Sequence, residues 1–426
     1  MKKQLLCTSA IALGVAVASP VAAQEWDVGL GGYYVIHFGF GDFSGDTFVL
    51  NGVNAFGQTP DFEGVQIFQD AEIAITPSIT LDNGLTFGAN IQYETADGAD
   101  MDEVYVQISS DTLGTLQWGY ENSAGAQSML GAPNVTGMPI NSGSTSGFVP
   151  LTGTGFASGS GGGFGFLDAS LSAFTEVGGA YGNSDVARIN YFTPSFNGFT
   201  LGLAYAPDNV GSDGAFANPD NNAAGVISDI WDIGLSYEQT FGTVDVTLGA
   251  RYGEGSWASG TFLTAAVSTS PALLPGTTPI ATAAEVPVTG DPSTWGLGGQ
   301  VSVNGWTFGG HYAENDNGGE GGLLDTSGWS LGLAYDIPGP WSVSFTAFQS
   351  EVDGSGTITT GPAAGTTFTG NHDREAYLLG ANRNLGPGVD WSVWYFYEEF
   401  SSEVGSPLNG EGIDGNVIGT TLALSF

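Results

Sequence analysis

Ala187-Arg188-Ile189-Asn190-Tyr191-Phe192-Thr193-Pro194-Ser195-Phe196-Asn197-Gly198-Phe199-Thr200-Leu201-Gly202-Leu203-Ala204-Tyr205 holds two runs of alternating side chains joined by one turn. Ile189 and Tyr191 share a phase against Arg188 and Asn190. Phe199, Leu201, Leu203 and Tyr205 share one against Thr200, Gly202 and Ala204. A period of two puts alternate residues on opposite faces of a strand. The Asn-Gly pair ahead of the second run is a tight-turn signal. The stretch predicts an antiparallel hairpin with one apolar face.

The same unit recurs in both directions. From Trp26 to Phe426 the alternation predicts about 16 strands, the first over 26–40, the fourteenth over 375–384, the fifteenth over 389–397 and the last over 416–426. Short turns such as Asp82-Asn83-Gly84 and Asn304-Gly305 alternate with long interruptions at 41–62, 122–185, 207–229, 254–293, 314–328, 351–374 and 398–415. An even number of strands, with short turns at one rim and long loops at the other, is the plan of a transmembrane antiparallel β-barrel. Stretch 254–293, rich in Ala, Thr and Pro with few charges, is expected to be a mobile surface loop.

Parity tests this plan. In a membrane barrel, charge belongs on the phase opposite the apolar one, because it is costly against lipid at mid-bilayer. Asp27, Asp70, Glu72, Glu94, Glu103, Asp232, Glu238, Asp245 and Arg251 obey, as do His37 and His311. Glu351, Glu375, Arg383 and Glu399 depart from it, all near predicted strand ends. Trp26, Trp231, Trp295, Trp306, Trp329, Trp341 and Trp391 also lie near strand ends, as interfacial girdles require. A soluble β-sandwich with an aromatic core does not account for so many hairpin-linked strands in one chain.

Composition agrees. Apolar residues make up 41% and glycine 69 of 426. No segment after the first twenty residues has the eighteen consecutive apolar residues of a membrane helix. Lys2-Lys3, the apolar run Leu5–Val17, Pro20 and Val21-Ala22-Ala23 predict a cleaved export signal over residues 1–23 and a barrel over 24–426. Cys7, the one cysteine, lies inside that signal. Removing Lys2 and Lys3 from the six basic residues leaves four against 44 acidic ones, a formal charge of −40. That balance excludes nucleic acid as a partner and favours cations as counter-ions or cargo.

The candidate lumen residues are Asp70, Glu72, Glu94, Glu103, Glu121, Asp232 and Asp245, with Arg188 and Arg251 as inward bases and Arg374 at the outer rim. No catalytic arrangement emerges, because His37, His311 and His372 lie far apart and no nucleophile elbow frames them. Gly161–Gly165 lacks the Lys-Ser/Thr of a phosphate loop. Glu314, Asp316, Glu320 and Asp325 supply oxygen ligands and flanking glycines suited to Ca2+, without EF-hand spacing. A solvated acidic loop is the favoured reading there, and no other cofactor is expected.

Three stretches carry a family resemblance: Ala187–Tyr205, Leu81–Ala89 and the ending Val417–Phe426. They resemble, in turn, the strand-turn-strand after the pore loop, the first periplasmic turn and the terminal strand of the general Gram-negative outer-membrane porins, in the alphaproteobacterial style. The resemblance implies a homotrimer in the lipid bilayer of the cell outer membrane, reached through the periplasm. It implies a long third loop, here 122–185, folded into the lumen, with acids that face basic residues on the wall. The loop acids at hand are Asp168, Glu176 and Asp185. The terminal strand resembles the signal read by the barrel-assembly machinery. Residues 24–187 contain no Lys or Arg, so the family's arginine cluster on the early strands is missing. The expected function is passive diffusion of ions and small hydrophilic solutes through a cation-preferring channel. A substrate-specific porin is the alternative within the class, and a secreted acidic β-rich binding or adhesion protein the alternative outside it.

Overall fold

The computed structural model describes residues 25–45, 63–96, 101–138, 148, 185–209, 226–258, 261–268, 281–323, 325–357, 364–403 and 412–426. The predicted signal 1–23 lies outside them. The first strands are β1 (Asp27–Gly45), β2 (Glu63–Thr80), β3 (Thr86–Glu94), β4 (Met101–Ser110) and β5 (Gly114–Glu121), followed by a one-turn helix α1 (Ala124–Gln127). Next come β6 (Val186–Phe192), β7 (Phe199–Asp208), β8 (Ile227–Phe241), β9 (Val244–Trp257), β10 (Phe262–Ser268) and β11 (Ala281–Pro287). Then follow β12 (Ser293–Val303), β13 (Trp306–Asp316), β14 (Thr326–Asp336), β15 (Trp341–Val352), β16 (Ser355–Thr357) and β17 (Thr367–Thr369). The chain ends with β18 (His372–Gly386), β19 (Val389–Ser402) and β20 (Gly412–Ser425).

Sixteen of these strands, β1 to β9, β12 to β15 and β18 to β20, form one closed antiparallel barrel in sequence order. Closure is the pairing of β20 with β1, from Tyr33 opposite Ser425 to Gly45 opposite Ile413. Gly32 and Phe426 exchange both backbone hydrogen bonds at 3.1 Å, so the last residue sits on the seam. The barrel sheet therefore keeps no open edge to template pairing with another chain. The tight turns follow from residue type: Asn197-Gly198 and Asn304-Gly305 have φ of 51°, 88°, 49° and 87°. Two successive positive values are what a hairpin turn matched to the strand twist requires.

The two faces differ as parity predicts. The apolar phase is the exposed one: Leu30 is 70% exposed, Trp118 68% and Ile418 64%. A closed barrel with its apolar face turned out needs an apolar surrounding, and each such side chain moved from water into lipid gains about 1.5–3 kcal/mol. The opposite, inner phase is buried and holds Asn190, Asp232, His311, Thr346 and Ser392.

Three features depart from the sequence reading. Strands run further towards the long-loop rim than the alternation indicated. Thus β18 starts at His372 rather than 375, and β19 continues past 397 to Ser402. Backbone pairing is indifferent to the polarity of its side chains, so the ladder persists where the hydrophobic signal fades. Stretch 254–293 is not simply a loop: β10 and β11 pair within it from Phe262–Pro287 to Ser268–Ala281. A smaller pair, β16 and β17, stands between β15 and β18. Finally, the inner phase is not uniformly polar. Phe348, Leu378, Phe396, Phe400 and Val417 are at most 1% exposed and form an apolar lining on β15, β18, β19 and β20.

Candidate functional site

The inner wall divides into two arcs. The first runs from β2 to β6. Because inner-phase residues alternate, β2 presents Asp70 and Glu72, β3 Gln92 and Glu94, β4 Glu103, and β5 Gln117 and Glu121. Asp185, in αL geometry with φ 50°, comes just before β6 and its Arg188. Carboxylate oxygens of Glu103, Glu121 and Asp185 lie within 4.8 Å of one another.

Amide donors hold this cluster in place. Asn122 Nδ2 donates to Asp185 Oδ1 at 2.9 Å and to Glu103 Oε1 at 3.4 Å, and its backbone N–H donates to Glu121 Oε1 at 3.0 Å. Gln92 Nε2 donates to Glu103 Oε2. Tyr33 on β1 donates to Asp70 Oδ1 at 3.1 Å. Burial and the nearby Asp102 carboxylate push the Asp185 acid up to about 6, against the opposing pull of Arg188. Like charges packed this closely are stabilised by any cation that enters. Three convergent carboxylates have the hard oxygen chemistry of an alkali or alkaline-earth ion.

The second arc runs from β7 to β19, and the chain after β5 lies along it. Ser123 caps α1, accepting from Ala126 N at 3.1 Å, and donates its hydroxyl to Asp232 Oδ2 at 3.0 Å. Asp232 on β8 also pairs with Arg251 on β9, their side chains 1% and 0% exposed. Beyond α1 the segment 129–136 runs across successive strands. Gln300 on β12 donates to Gly131 O at 2.9 Å, and Ala132 N donates to Ser330 Oγ on β14 at 3.2 Å. On β15, Thr346 donates to Pro133 O at 3.1 Å and Ser344 accepts from Val135 N at 3.2 Å. Ser392 on β19 donates to Thr136 O at 2.7 Å. All five wall residues lie on the inner phase. The strap thus satisfies its backbone on side chains, as a buried loop must.

The sequence candidates are now placed. Asp70, Glu72, Glu94, Glu103, Glu121, Asp185 and Arg188 come together on the first arc, while Asp232 and Arg251 form the buried pair beneath the strap. Asp245 is exposed, two residues after the β8–β9 turn, where Thr240 donates to it at 2.8 Å. Asp168 and Glu176 lie outside the described residues. Arg374 does not hang at the rim: it is 2% exposed and pairs with Glu398 at 2.7 Å. The sequence reading missed Glu398 because it ended the fifteenth strand one residue too early. The alternation Trp394, Phe396, Glu398, carried one step further, would have found it. Gln92 and Asn122 carried no signal, since an amide is unremarkable on a strand or in a loop.

The calcium candidates do not form one group. Glu314 on β13 turns outward and accepts from Trp295 Nε1 at 2.9 Å and from the Tyr312 hydroxyl. Asp325 accepts from Asn317 N at 2.9 Å, and burial together with Asp316 and Asp353 pushes it up to about 7. The histidines are equally dispersed. His37 bonds Thr421 and His311 bonds Ser330, each at 2.7 Å, and His372 stacks on Phe400.

A family profile described as Gram-negative porin matches residues 8–402 of the chain. No curated protein matches it in sequence. Among solved structures, an anion-selective porin from Comamonas acidovorans is similar, with 15% identity, coverage of 94% of this chain and 100% of that one, and a TM-score of 0.54. OmpT of Vibrio cholerae, in a trimer form, has 12% identity, covers 94% and 99%, and has a TM-score of 0.54. The outer membrane channel DcaP of Acinetobacter baumannii has 10% identity, covers 94% and 97%, and has a TM-score of 0.53. At these identities the likeness is one of fold.

Proposed function

The chain belongs to the Gram-negative porin family, an outer-membrane β-barrel channel, and from that premise we propose that it conducts cations and small hydrophilic solutes in preference to anions. One observation carries the reading. Arg188 is the single basic residue on the acidic arc, while Arg251 and Arg374, the other inner arginines, are each neutralised by a carboxylate. Arg383, the fourth, lies over the Trp341 ring at 5.4 Å on β18. The inner wall therefore keeps an unbalanced negative field, which concentrates cations and repels anions in a water-filled bore.

Several further elements belong to the same proposal. The strap over residues 123–136 narrows the bore, and Glu103, Glu121 and Asp185 form a station past which cations step. Residues 1–23 are removed on export, the terminal strand is read by the barrel-assembly machinery, and three copies assemble. Asp316 and Asp325, whose carboxyl groups meet between β13 and β14, are the residues this chain offers to Ca2+. Selectivity is not inherited with the fold, since the Comamonas structure is described as anion-selective. The test is single-channel recording in a planar bilayer under a salt gradient. Stepwise conductance with a cation-directed reversal potential is expected. An anion-directed potential would refute the account of the wall.

A further inference from the structure

We propose that a row of inner-face glycines is a furrow that seats the strap, and that Gly234, Gly249 and Gly298 thereby set the bore of the channel. The row follows the strand register. Gly202 on β7 is opposite Gly234 on β8. Gly249 on β9 is opposite Gly298 on β12. Gly332 on β14 and Gly380 on β18 continue it. A methyl group at Gly234, Gly249 or Gly298 would come closer than 3.0 Å to a strap backbone oxygen, that of Ala124, Ser128 and Leu130 respectively. At Gly332 and Gly380 it would meet Ala132 and Thr136.

These glycines differ from others in the barrel. At Gly310 and Gly114 the atom in the way is a carbonyl of the adjoining strand, Ser330 and Phe192 respectively, which is the ordinary use of glycine where strands crowd. At the furrow positions it is the strap. From Ala124 to Thr136 the segment crosses from β7 to β18, seven strand intervals or roughly 34 Å at about 4.8 Å each. The four steps from Ala124 to Ser128 are helical and rise about 1.5 Å each, and the eight from Ser128 to Thr136 reach at most about 3.3–3.6 Å each, roughly 32–35 Å in all. The strap is nearly taut, with little slack to ride over an added side chain without moving bodily.

That motion has one available direction. The wall is a hydrogen-bonded sheet and lies behind the strap, so the strap oxygens must retreat towards the axis until contact reaches the ordinary 3.4 Å. Bulk added to the furrow therefore narrows the bore although it never reaches the water. The inference rests on the channel reading above, and the strap is part of the constriction that reading assigns.

The test is single-channel conductance, and exclusion of graded polyethylene glycols, for the purified full-length protein and its Gly298→Ala and Gly249→Ala/Gly298→Ala variants. Folding is checked by heat-modifiable gel mobility. Conductance is expected to fall by roughly 1.5-fold or more, with a smaller polymer cut-off. Gly64→Ala, on the inner phase of β2 with nothing within 4 Å of the added atom, is expected to leave both unchanged. A folded double variant with wild-type conductance and cut-off would overturn the proposal. So would an equal fall in Gly64→Ala.

A second variant adds no bulk and keeps the idea testable if the alanines prevent folding. Ser330→Ala/Ser344→Ala/Ser392→Ala removes three wall hydroxyls from the strap and is expected to raise open-channel noise. A quiet trace of wild-type conductance would count against a seated strap. A folded wild type that passes no current would overturn the channel reading and this inference together, whereas normal wild-type current with silent glycine variants overturns the furrow alone.

Discussion

Two arcs of one inner wall, drawn from a single sheet, treat charge in opposite ways. From β2 to β6 carboxylates gather with amide donors and one arginine, and Glu103, Glu121 and Asp185 come within 4.8 Å of one another. From β7 to β19 the buried charges are the pairs Asp232–Arg251 and Glu398–Arg374, and the wall under the strap of backbone is largely glycine, serine and threonine. The first arc packs its carboxylates against one another, with Glu103 6% and Glu121 4% exposed, and meets their repulsion with amide donors and, at Asp185, a raised proton affinity rather than with matched cations. The second is shut off from water, so its charges must be matched. The same residue type, aspartate, therefore stands among other carboxylates at 70 and is a latch at 232.

The contrast can be broken in several places. The largest expected effect is on the latch. Asp232→Ala leaves Arg251 buried without its partner, a loss of about 3–5 kcal/mol for such a pair. A sharply lower temperature for the heat-induced gel shift is expected, whereas Asp70→Ala on the other arc should leave that temperature nearly unchanged. If both variants melt alike, the two arcs are not distinct.

Next in size is the charge itself. Replacing Glu103, Glu121 and Asp185 together by Gln, Gln and Asn is expected to reduce the cation-to-anion permeability ratio by roughly tenfold, or about 1.4 kcal/mol. The reversal potential in a salt gradient reads this directly. An unchanged ratio would move selectivity elsewhere on the wall.

Lowering the pH has a smaller effect of the same kind. Burial raises the Asp185 acid from 3.8 to about 6, so its charge is lost as pH falls through 6. Cation preference is expected to weaken between pH 7 and 5 in the wild type, and less so in Asp185→Asn. The sign for stability is the reverse: the folded state binds the proton more tightly, so its contribution is full below 3.8 and is lost as pH rises through 6.

The smallest effect belongs to the strap. Ser392→Ala removes one hydroxyl from Thr136 O and is expected to lower stability by about 1 kcal/mol, visible as a slight shift in the urea midpoint of unfolding. A loss as large as that of Asp232→Ala would mean that the strap, rather than the ion pair, anchors this arc.

Parts of this were legible in the residues. The alternation around Leu201 and Leu203 identified the lipid face, and Asn197-Gly198 and Asn304-Gly305 located turns, because strand phase and turn geometry are local properties. Asp70, Glu72, Glu94 and Glu103 were found by phase alone. The pairing of Arg374 with Glu398 was not legible, because strand ends are set by the neighbouring ladder and not by hydrophobicity. Nor was the course of residues 129–136: a loop bound through backbone groups to Gln300, Ser330, Ser344, Thr346 and Ser392 leaves no pattern in its own sequence.

The sequence by itself determined a strand count, two faces and a strongly negative chain, since each depends on composition or on spacing within about ten residues. Only the tertiary structure decided which carboxylates come together, which arginines are paired with carboxylates and where the strap runs. Those outcomes depend on the curvature and register of a closed barrel, which bring Glu103, Glu121 and Asp185 to one point and align Gly249 with Gly298 across 49 residues of chain.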